Sequence, residues 1–415
     1  MENFDVVITA NSPGELMGQV RPFVCEVSKQ LPEAKIILVL PPCQYSTGKE
    51  IEVAKQIKEI YDVILPQEYK NWIFKGNTPK GINFNKKGIL VFMGGDLFHA
   101  AMIAKKLNYP AIAYARDHFT WKNAFNKFFV PDNSTYKKAI KKGVNENKLS
   151  VAGNLIVDSI ILTMTAQQAK KEWHLDDKKP IVSIMLGSHP FQIKLVTSFF
   201  LKTAENIFSW LPDVQFIMPI SKFTSLSTVE KYLNPTDQIY NEGRNSIASI
   251  VIEDDKHYIK TEKGLKILLL TDLNHDAINI SDLVITMPGT NTAEIAAINT
   301  PMISVFPLNR PKVIPLEGLG EIIGNLPLIG GLFKIAAINA LNKMIKYVAL
   351  PNITAHEEIV PEIRGRLEPS TVSDEAVKML KNSDRLDLIR SKLKNLMGST
   401  GAAGIIVSEI RKIME

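Results

Sequence analysis

Residues 283–301, LVITMPGTNTAEIAAINTP, carry an apolar run ending at Thr286 through Pro288-Gly289-Thr290-Asn291-Thr292 into a helix-like stretch bearing Glu294. Small residues where a strand gives way to a helix present N–H groups, aided by the helix dipole, to an anion such as pyrophosphate. Thr290, Asn291 and Thr292 add side-chain donors, and Glu294 could accept hydrogen bonds from both hydroxyls of a ribose. The same residues could instead serve the helix, with Thr290 or Asn291 as its cap and Glu294 closing a capping box.

Two further acids follow the same grammar of strand, glycine, acid and helix. NSPGELMG (11–18) places Gly14 and Glu15 directly after the run Val6–Ala10. Ser12 is a natural N-cap there and Glu15 suits the dipole, while Gly14 would let a ligand approach the backbone. FMGGDLFHAA (92–101) sets Asp96 at the carboxyl end of another apolar run. It could cap the helix that follows or take a proton from a reacting group. His99 and His118 are further titratable candidates. Glu253-Asp254-Asp255 could suggest a metal, but no buried strand precedes them, so a solvated acidic run is expected.

These residues need elements to position them. Strands are expected at Asp5–Ala10, Lys35–Leu40, Gly88–Met93, Ala111–Tyr114 and Leu149–Val151, with amphipathic helices between them. The pattern restarts with strands at Pro180–Leu186, Val214–Met218, Leu265–Thr271, Asp282–Thr286 and Met302–Phe306. Ile160–Lys179 reads as a linker, and 237–262 fits no clear element. Alternating βα units imply α/β architecture with two doubly wound parallel sheets in tandem, and a ligand cleft between their strand ends. The 415 residues, 45% hydrophobic, suffice for two domains. A net charge of +6 over this length suits phosphorylated ligands or an anionic membrane surface rather than nucleic acid. Cys25 and Cys43 form no CxxC or metal spacing, which points to a reducing, cytoplasmic compartment. MENFDVVITA runs straight into a strand, so no signal peptide is expected. Ile322–Phe333 is apolar but broken by Gly324, Pro327, Gly330 and Gly331, and falls short of the ~20 residues a membrane span requires.

Five stretches together resemble the lipid A disaccharide synthases, glycosyltransferases of the GT-B fold. The 289–294 loop is similar to that family's Ser-Gly-Thr-Ala-Thr-Leu-Glu, and YVALPNITAHEEIVPE (347–362) to its Leu-Pro-Asn-Ile-x-Ala…Val-Pro-Glu. GVNENKLSVAGNLIVDSI (143–160), SIMLGSHPFQIK (183–194) and GELMG (14–18) fall in order where the family has Gly-Val…Gly-His-Pro-Leu-x-Asp, Leu-Pro-Gly-Ser-Arg and Gly-Asp-Leu-x-Gly. The resemblance implies two Rossmann-like domains facing a cleft. The N-terminal, acceptor domain would span 1–165, the donor domain 166–398, and a helix at 399–415 would pack back on the first. It also implies an inverting, metal-independent transfer of an N-acetylglucosamine-type sugar from a UDP-sugar to a lipid-linked acceptor. Glu294 would hold the ribose, and Gly289, Thr290, Asn291 and Thr292 the diphosphate. Gly187, Ser188 and His189 would approach from the facing strand end, and Asn352 would lie near the donor. Asp96 matches the family's Gly-x-Asp acid and becomes the candidate base. Gly14 and Glu15 form an acceptor-side loop.

The chain departs from the family pattern at Glu15 (Asp in the family), His189 (Arg) and Gly153-Asn154-Leu155 (Gly-His-Pro), and in an expanded apolar segment, 313–348. A histidine in place of a permanent cation is not conservative. Aromatic and lysine-rich stretches at 69–75 and 118–129, with 313–348, could meet a membrane surface, placing the protein peripherally at the inner face of the cytoplasmic membrane. The 313–348 segment could equally form a lid or a homodimer contact. A UDP-sugar epimerase or hydrolase of the same fold, and a non-catalytic nucleotide-sugar-binding protein, are the alternatives.

Overall fold

The computed structural model describes residues 3–42, 50–79, 81–116, 118–187, 190–220, 224–234, 246–272, 274–310, 338, 340 and 344–415. The chain divides into two units, Met1–Ser159 with Gly398–Glu415, and Ile160–Met397.

Seven strands build the sheet of the first unit: β1 (Phe4–Thr9), β2 (Ala34–Val39), β3 (Asp62–Ile64), β4 (Gly88–Phe92), β5 (Ala111–Tyr114), β6 (Lys127–Val130) and β7 (Leu149–Val151). They lie in the order β3-β2-β1-β4-β5-β6-β7, every neighbouring pair parallel. Runs such as Phe4–Thr9 are buried along their whole length, because helices cover both faces of a parallel sheet. The chain leaves β1 through one helical turn, a five-residue π-helical turn at Leu16–Val20, and then the α-helix Arg21–Gln30. The helix Ala402–Met414 completes this unit. Asp158 accepts hydrogen bonds from the N–H groups of Gly401 (2.6 Å) and Ala403 (2.7 Å) at the helix start. Farther along, Glu409 pairs with Lys127 at 3.2 Å and Arg411 donates to the Gln30 carbonyl at 2.8 Å.

Eight strands build the second sheet: β8 (Ile181–Met185), β9 (Gln215–Ile220), β10 (Ala248–Glu253), β11 (Lys256–Thr261), β12 (Lys266–Thr271), β13 (Leu283–Thr286), β14 (Met302–Pro307) and β15 (Glu362–Gly365). Their order is β10-β11-β12-β9-β8-β13-β14-β15. Without the antiparallel pair β10-β11, this is the arrangement of the first sheet less its last strand: two strands laid outward from the first, then a return to its other side.

Two expectations of irregular chain are overturned. Residues 248–261 form a hairpin, with Asp254 and Asp255 at φ 48° and 59° between its strands. Aspartate tolerates that left-handed turn, and the turn matches strand twist. The acidic run is therefore a hairpin tip, with Glu253 paired to Lys266. Ile160–Lys179 is not a linker throughout. It contains the helix Ala166–Glu172, opened by a Thr165–Gln168 capping box, and buries Ala169 and Trp173 in the second core. Its first residues are held by Asp276, so the second unit begins at Ile160 rather than at 166.

In the expected membrane-facing stretches most rings belong to the core. Tyr69, Trp72, Phe119, Phe125, Phe128 and Phe129 are buried, and Phe128 and Phe129 belong to β6. In 69–75 and 118–129 the strongly exposed rings are Phe74 (63%) and Trp121 (52%). Residues 313–337 of the apolar segment lie outside the described residues. No helix among the described residues is long and apolar enough to cross a membrane.

Candidate functional site

In a doubly wound sheet the crevice for a ligand opens where strand order reverses, at the carboxyl ends of the strands. In the first sheet this point lies between β1 and β4, and the loops leaving them carry Asn11–Glu15 and Gly94–Asp96. In the second it lies between β8 and β13, whose loops carry Gly187 and Gly289. Both sequence-selected constellations thus occupy a switch point, one in each unit.

In the first unit, Glu15 and Ser12 form a reciprocal capping box. The Glu15 carboxylate accepts from the N–H groups of Asn11 (2.8 Å) and Ser12 (3.1 Å), while Ser12 Oγ accepts from Glu15 N–H at 3.3 Å. The carboxylate also reaches the loop after β4. A Cβ at Gly94 would lie 2.2 Å from Glu15 Cδ, and one at Gly95 (φ 86°) 2.4 Å from the Asn11 amide. Only glycines allow this approach. Burial pushes the Glu15 carboxyl above its ordinary pKa, and the N–H groups of Asn11, Ser12 and Gly95 partly oppose this. Glu15 is therefore a brace between the two loops, and its extra methylene relative to aspartate supplies reach.

Asp96 is exposed and caps the helix Leu97–Leu107, its Oδ1 accepting from Phe98 N–H at 2.9 Å. One turn on, His99 Nδ1 lies 2.7 Å from the buried Tyr69 hydroxyl. Burial keeps the His99 pKa below its ordinary value against the pull of Asp96, and burial, then Asp96, push Tyr69 up to about 12. Ring contacts continue from Phe74 through Tyr69, His99 and Phe98 to Trp121, with centroids 5.1–6.4 Å apart. His118 is exposed and lies outside this row.

In the second unit, Gly187 (φ 85°) and Gly289 leave adjacent parallel strands. A Cβ on Gly187 would meet Gln192 Oε1 at 2.4 Å, and Gln192 Nε2 reaches the Pro288 carbonyl at 3.5 Å, so one side chain spans both loops. Ser188 and His189 lie outside the described residues. Thr290 stands at the N-cap of the helix Asn291–Ala297 but makes no side-chain cap bond. The expected side-chain donors are partly corrected. Asn291 donates to Thr286 Oγ1 and accepts from Thr292 N–H. Thr292 is buried, donates to the Gly289 carbonyl at 2.7 Å and accepts from Leu350 N–H at 3.1 Å. Both side chains therefore shape the loop. Glu294 is partly exposed, with His275 Nε2 3.9 Å from its Oε2.

Asn352 is corrected as a ligand residue. It is wholly buried, donates to the Val360 carbonyl (2.8 Å) and Glu362 Oε1 (2.9 Å), and accepts from Ile359 and Val360 N–H (2.8 and 3.0 Å). Four bonds exhaust an amide, so it holds the Leu-Pro-Asn turn against β15. Sequence reading also passed over His275, and it passed over the roles of Gln192 and Tyr69 although both lie in stretches it singled out (183–194 and 69–75). Gly94, beside Gly95 and Asp96, did carry a signal: paired glycines mark a close approach. No group of three or more metal-ligating side chains occurs among the described residues.

Two parallel-dominated sheets of this order, each with a polar loop pair at its switch point, define a protein of the two-domain Rossmann-like, GT-B class. The solved UDP-GlcNAc 2-epimerase of Neisseria meningitidis, bound to UDP-GlcNAc, has the same fold (TM-score 0.57, 12% identity, covering 99% of this chain and 100% of that one). No family model matches. A lipid-A-disaccharide synthase of Trichlorobacter lovleyi is 23% identical over 272 residues, 64% of this chain and 58% of that protein's own length. That of Methylobacillus flagellatus is 21% identical over 415 residues, 94% of this chain and 93% of its own. The chain is a divergent relative of the lipid A disaccharide synthases.

Proposed function

We propose that this protein is an inverting glycosyltransferase that moves a sugar of N-acetylglucosamine type from UDP to a lipid-linked acceptor. The observation that carries the reading is the coincidence of both polar loop pairs with the switch points of two sheets in a relative of lipid A disaccharide synthases. In the second unit the backbone at Gly187, Gly289 and Thr290 admits the diphosphate, and Glu294 accepts from the ribose. In the first unit Asp96, with one carboxylate oxygen capping and the group exposed, takes the proton of the acceptor hydroxyl as the new bond forms. UDP leaves carrying the electron pair of the broken bond. The transfer requires no metal cofactor. Exposed Phe74 and Trp121, with Lys70 and Lys75 beside Phe74, give the acceptor unit a peripheral contact with an anionic membrane face.

Calorimetric titration of the wild type and Glu294→Ala with UDP, ADP and GDP tests the donor site. Selective UDP binding that is lost in the variant is expected; absence of nucleotide binding to folded protein overturns the reading. UDP release from UDP-N-acetylglucosamine that depends on a lipid-linked acceptor supports transfer. Release, or isomerisation of the UDP-sugar, without acceptor would instead support the epimerase or hydrolase.

A further inference from the structure

His275 and Asp276 open the helix Asn274–Asn279, in the second unit. Asp276 is buried and accepts from Thr163 N–H (2.9 Å), Thr163 Oγ1 (2.8 Å) and Met164 N–H (3.1 Å). His275 Nδ1 accepts from Ile161 N–H at 3.1 Å. The residues with which the second unit begins are therefore fastened to this helix at two successive positions. A ring nitrogen that accepts an N–H bond carries no proton, so neutral His275 bears its proton on Nε2. That nitrogen faces Glu294 Oε2 at 3.9 Å, beyond a direct hydrogen bond but within reach of a small side-chain rotation. The contact thus presents a fixed N–H dipole, rather than a second charge, to one oxygen of the carboxylate.

We infer that His275 is a positioning residue for ribose recognition: locked in one tautomer by Ile161, it holds the Glu294 carboxylate in the orientation that accepts the ribose hydroxyls. This rests on the donor-site reading of Glu294. A carboxylate with one oxygen steered by a donor presents the other at a defined angle, and two adjacent hydroxyls require that definition. Without His275, Glu294 keeps its charge but loses the donor facing its Oε2, so discrimination between UDP and its 2′-deoxy analogue falls while general affinity for the base and diphosphate stays.

The test compares UDP with 2′-deoxyuridine diphosphate by calorimetry on the wild type, His275→Ala, His275→Gln and Glu294→Gln, with the melting temperature of each recorded. A hydrogen bond to a charged group should favour UDP by about tenfold or more in the wild type. His275→Ala should lower the ratio toward that of Glu294→Gln and leave the affinity for the deoxynucleotide unchanged. His275→Gln should restore it, since its amide oxygen accepts from Ile161 and its amide N–H faces Glu294. An unchanged ratio in His275→Ala, or an equal loss for both nucleotides, overturns the inference and leaves the donor site intact. Wild type that binds neither nucleotide, or Glu294→Gln with the wild-type ratio, overturns the donor-site reading itself. Imidazole ¹⁵N spectra of the wild type need no variant. They should show His275 neutral with the proton on Nε2, shifted by UDP and not by the deoxynucleotide. A proton on Nδ1 overturns the inference.

Discussion

At the scale of single residues, the groups that brace the loops are distinct from Asp96, the residue proposed to react. Asp96 caps a helix and is exposed, and asparagine caps equally well. Asp96→Asn should therefore abolish turnover while the melting temperature and UDP affinity stay at wild-type values; retained turnover would remove Asp96 as the base. Gly94 has no room for a Cβ beside the Glu15 carboxylate. Gly94→Ala should cost about 3 kcal/mol in urea unfolding, because a buried carboxylate and its backbone donors must be displaced. His99 gives a pH signature. Its folded pKa lies below the unfolded value, so between the two the unfolded chain binds the extra proton. The contribution of His99 to stability is full above about pH 6.5 and falls as pH drops from there toward the folded-state value. His99→Gln should flatten that part of the stability–pH curve, and an unchanged slope would assign it to other groups.

At the scale of elements, the C-terminal helix gives two opposed expectations. Asp158→Ala removes the acceptor of two N–H groups at its start and should cost about 1–2 kcal/mol. Gly404 lies inside the same helix, where a Cβ would meet nothing nearer than 3.7 Å. Gly404→Ala should stabilise by about 0.5–1 kcal/mol, read as a raised melting temperature. Elements of this kind were legible in sequence when their periodicity was long or their apolar run was unbroken. β1, β2, β4 and β5 match their expected spans to within a residue at either end. β6 was hidden because Lys127-Phe128-Phe129-Val130 continues an aromatic and lysine-bearing stretch, and composition does not say which rings face inward. The β10-β11 hairpin was hidden by its Asp-Asp turn, a weaker signal than Asn-Gly. The candidate site was legible as glycines and acids at strand ends. Its bracing was not, because Glu15–Gly94 and His275–Glu294 join residues distant in sequence, and nothing in the 183–194 stretch marks Gln192 as the side chain that crosses to the Pro288 carbonyl.

At the scale of the whole molecule, charge is unevenly shared. The first unit carries 23 Lys and Arg against 17 Asp and Glu, which is the entire net charge of +6. Association with anionic vesicles should therefore weaken steeply between about 0.1 and 1 M salt, as the screening length falls from about 10 to 3 Å. Phe74→Ser with Trp121→Ser should remove what binding survives at high salt. Salt-independent binding would place the contact elsewhere. The discontinuity of the first unit has a consequence in time as well as in space. Asp158 waits for Gly401 and Ala403 across 243 and 245 positions of chain. At synthesis rates of about 5–20 residues per second, that interval is roughly 12–50 s. During it the whole second unit, Ile160–Met397, is made, while the seven-stranded sheet stands without its last helix and with the apolar surface beneath that helix uncovered. The half of the molecule made first is thus the half finished last, and a chaperone acting on the nascent chain would find its target there.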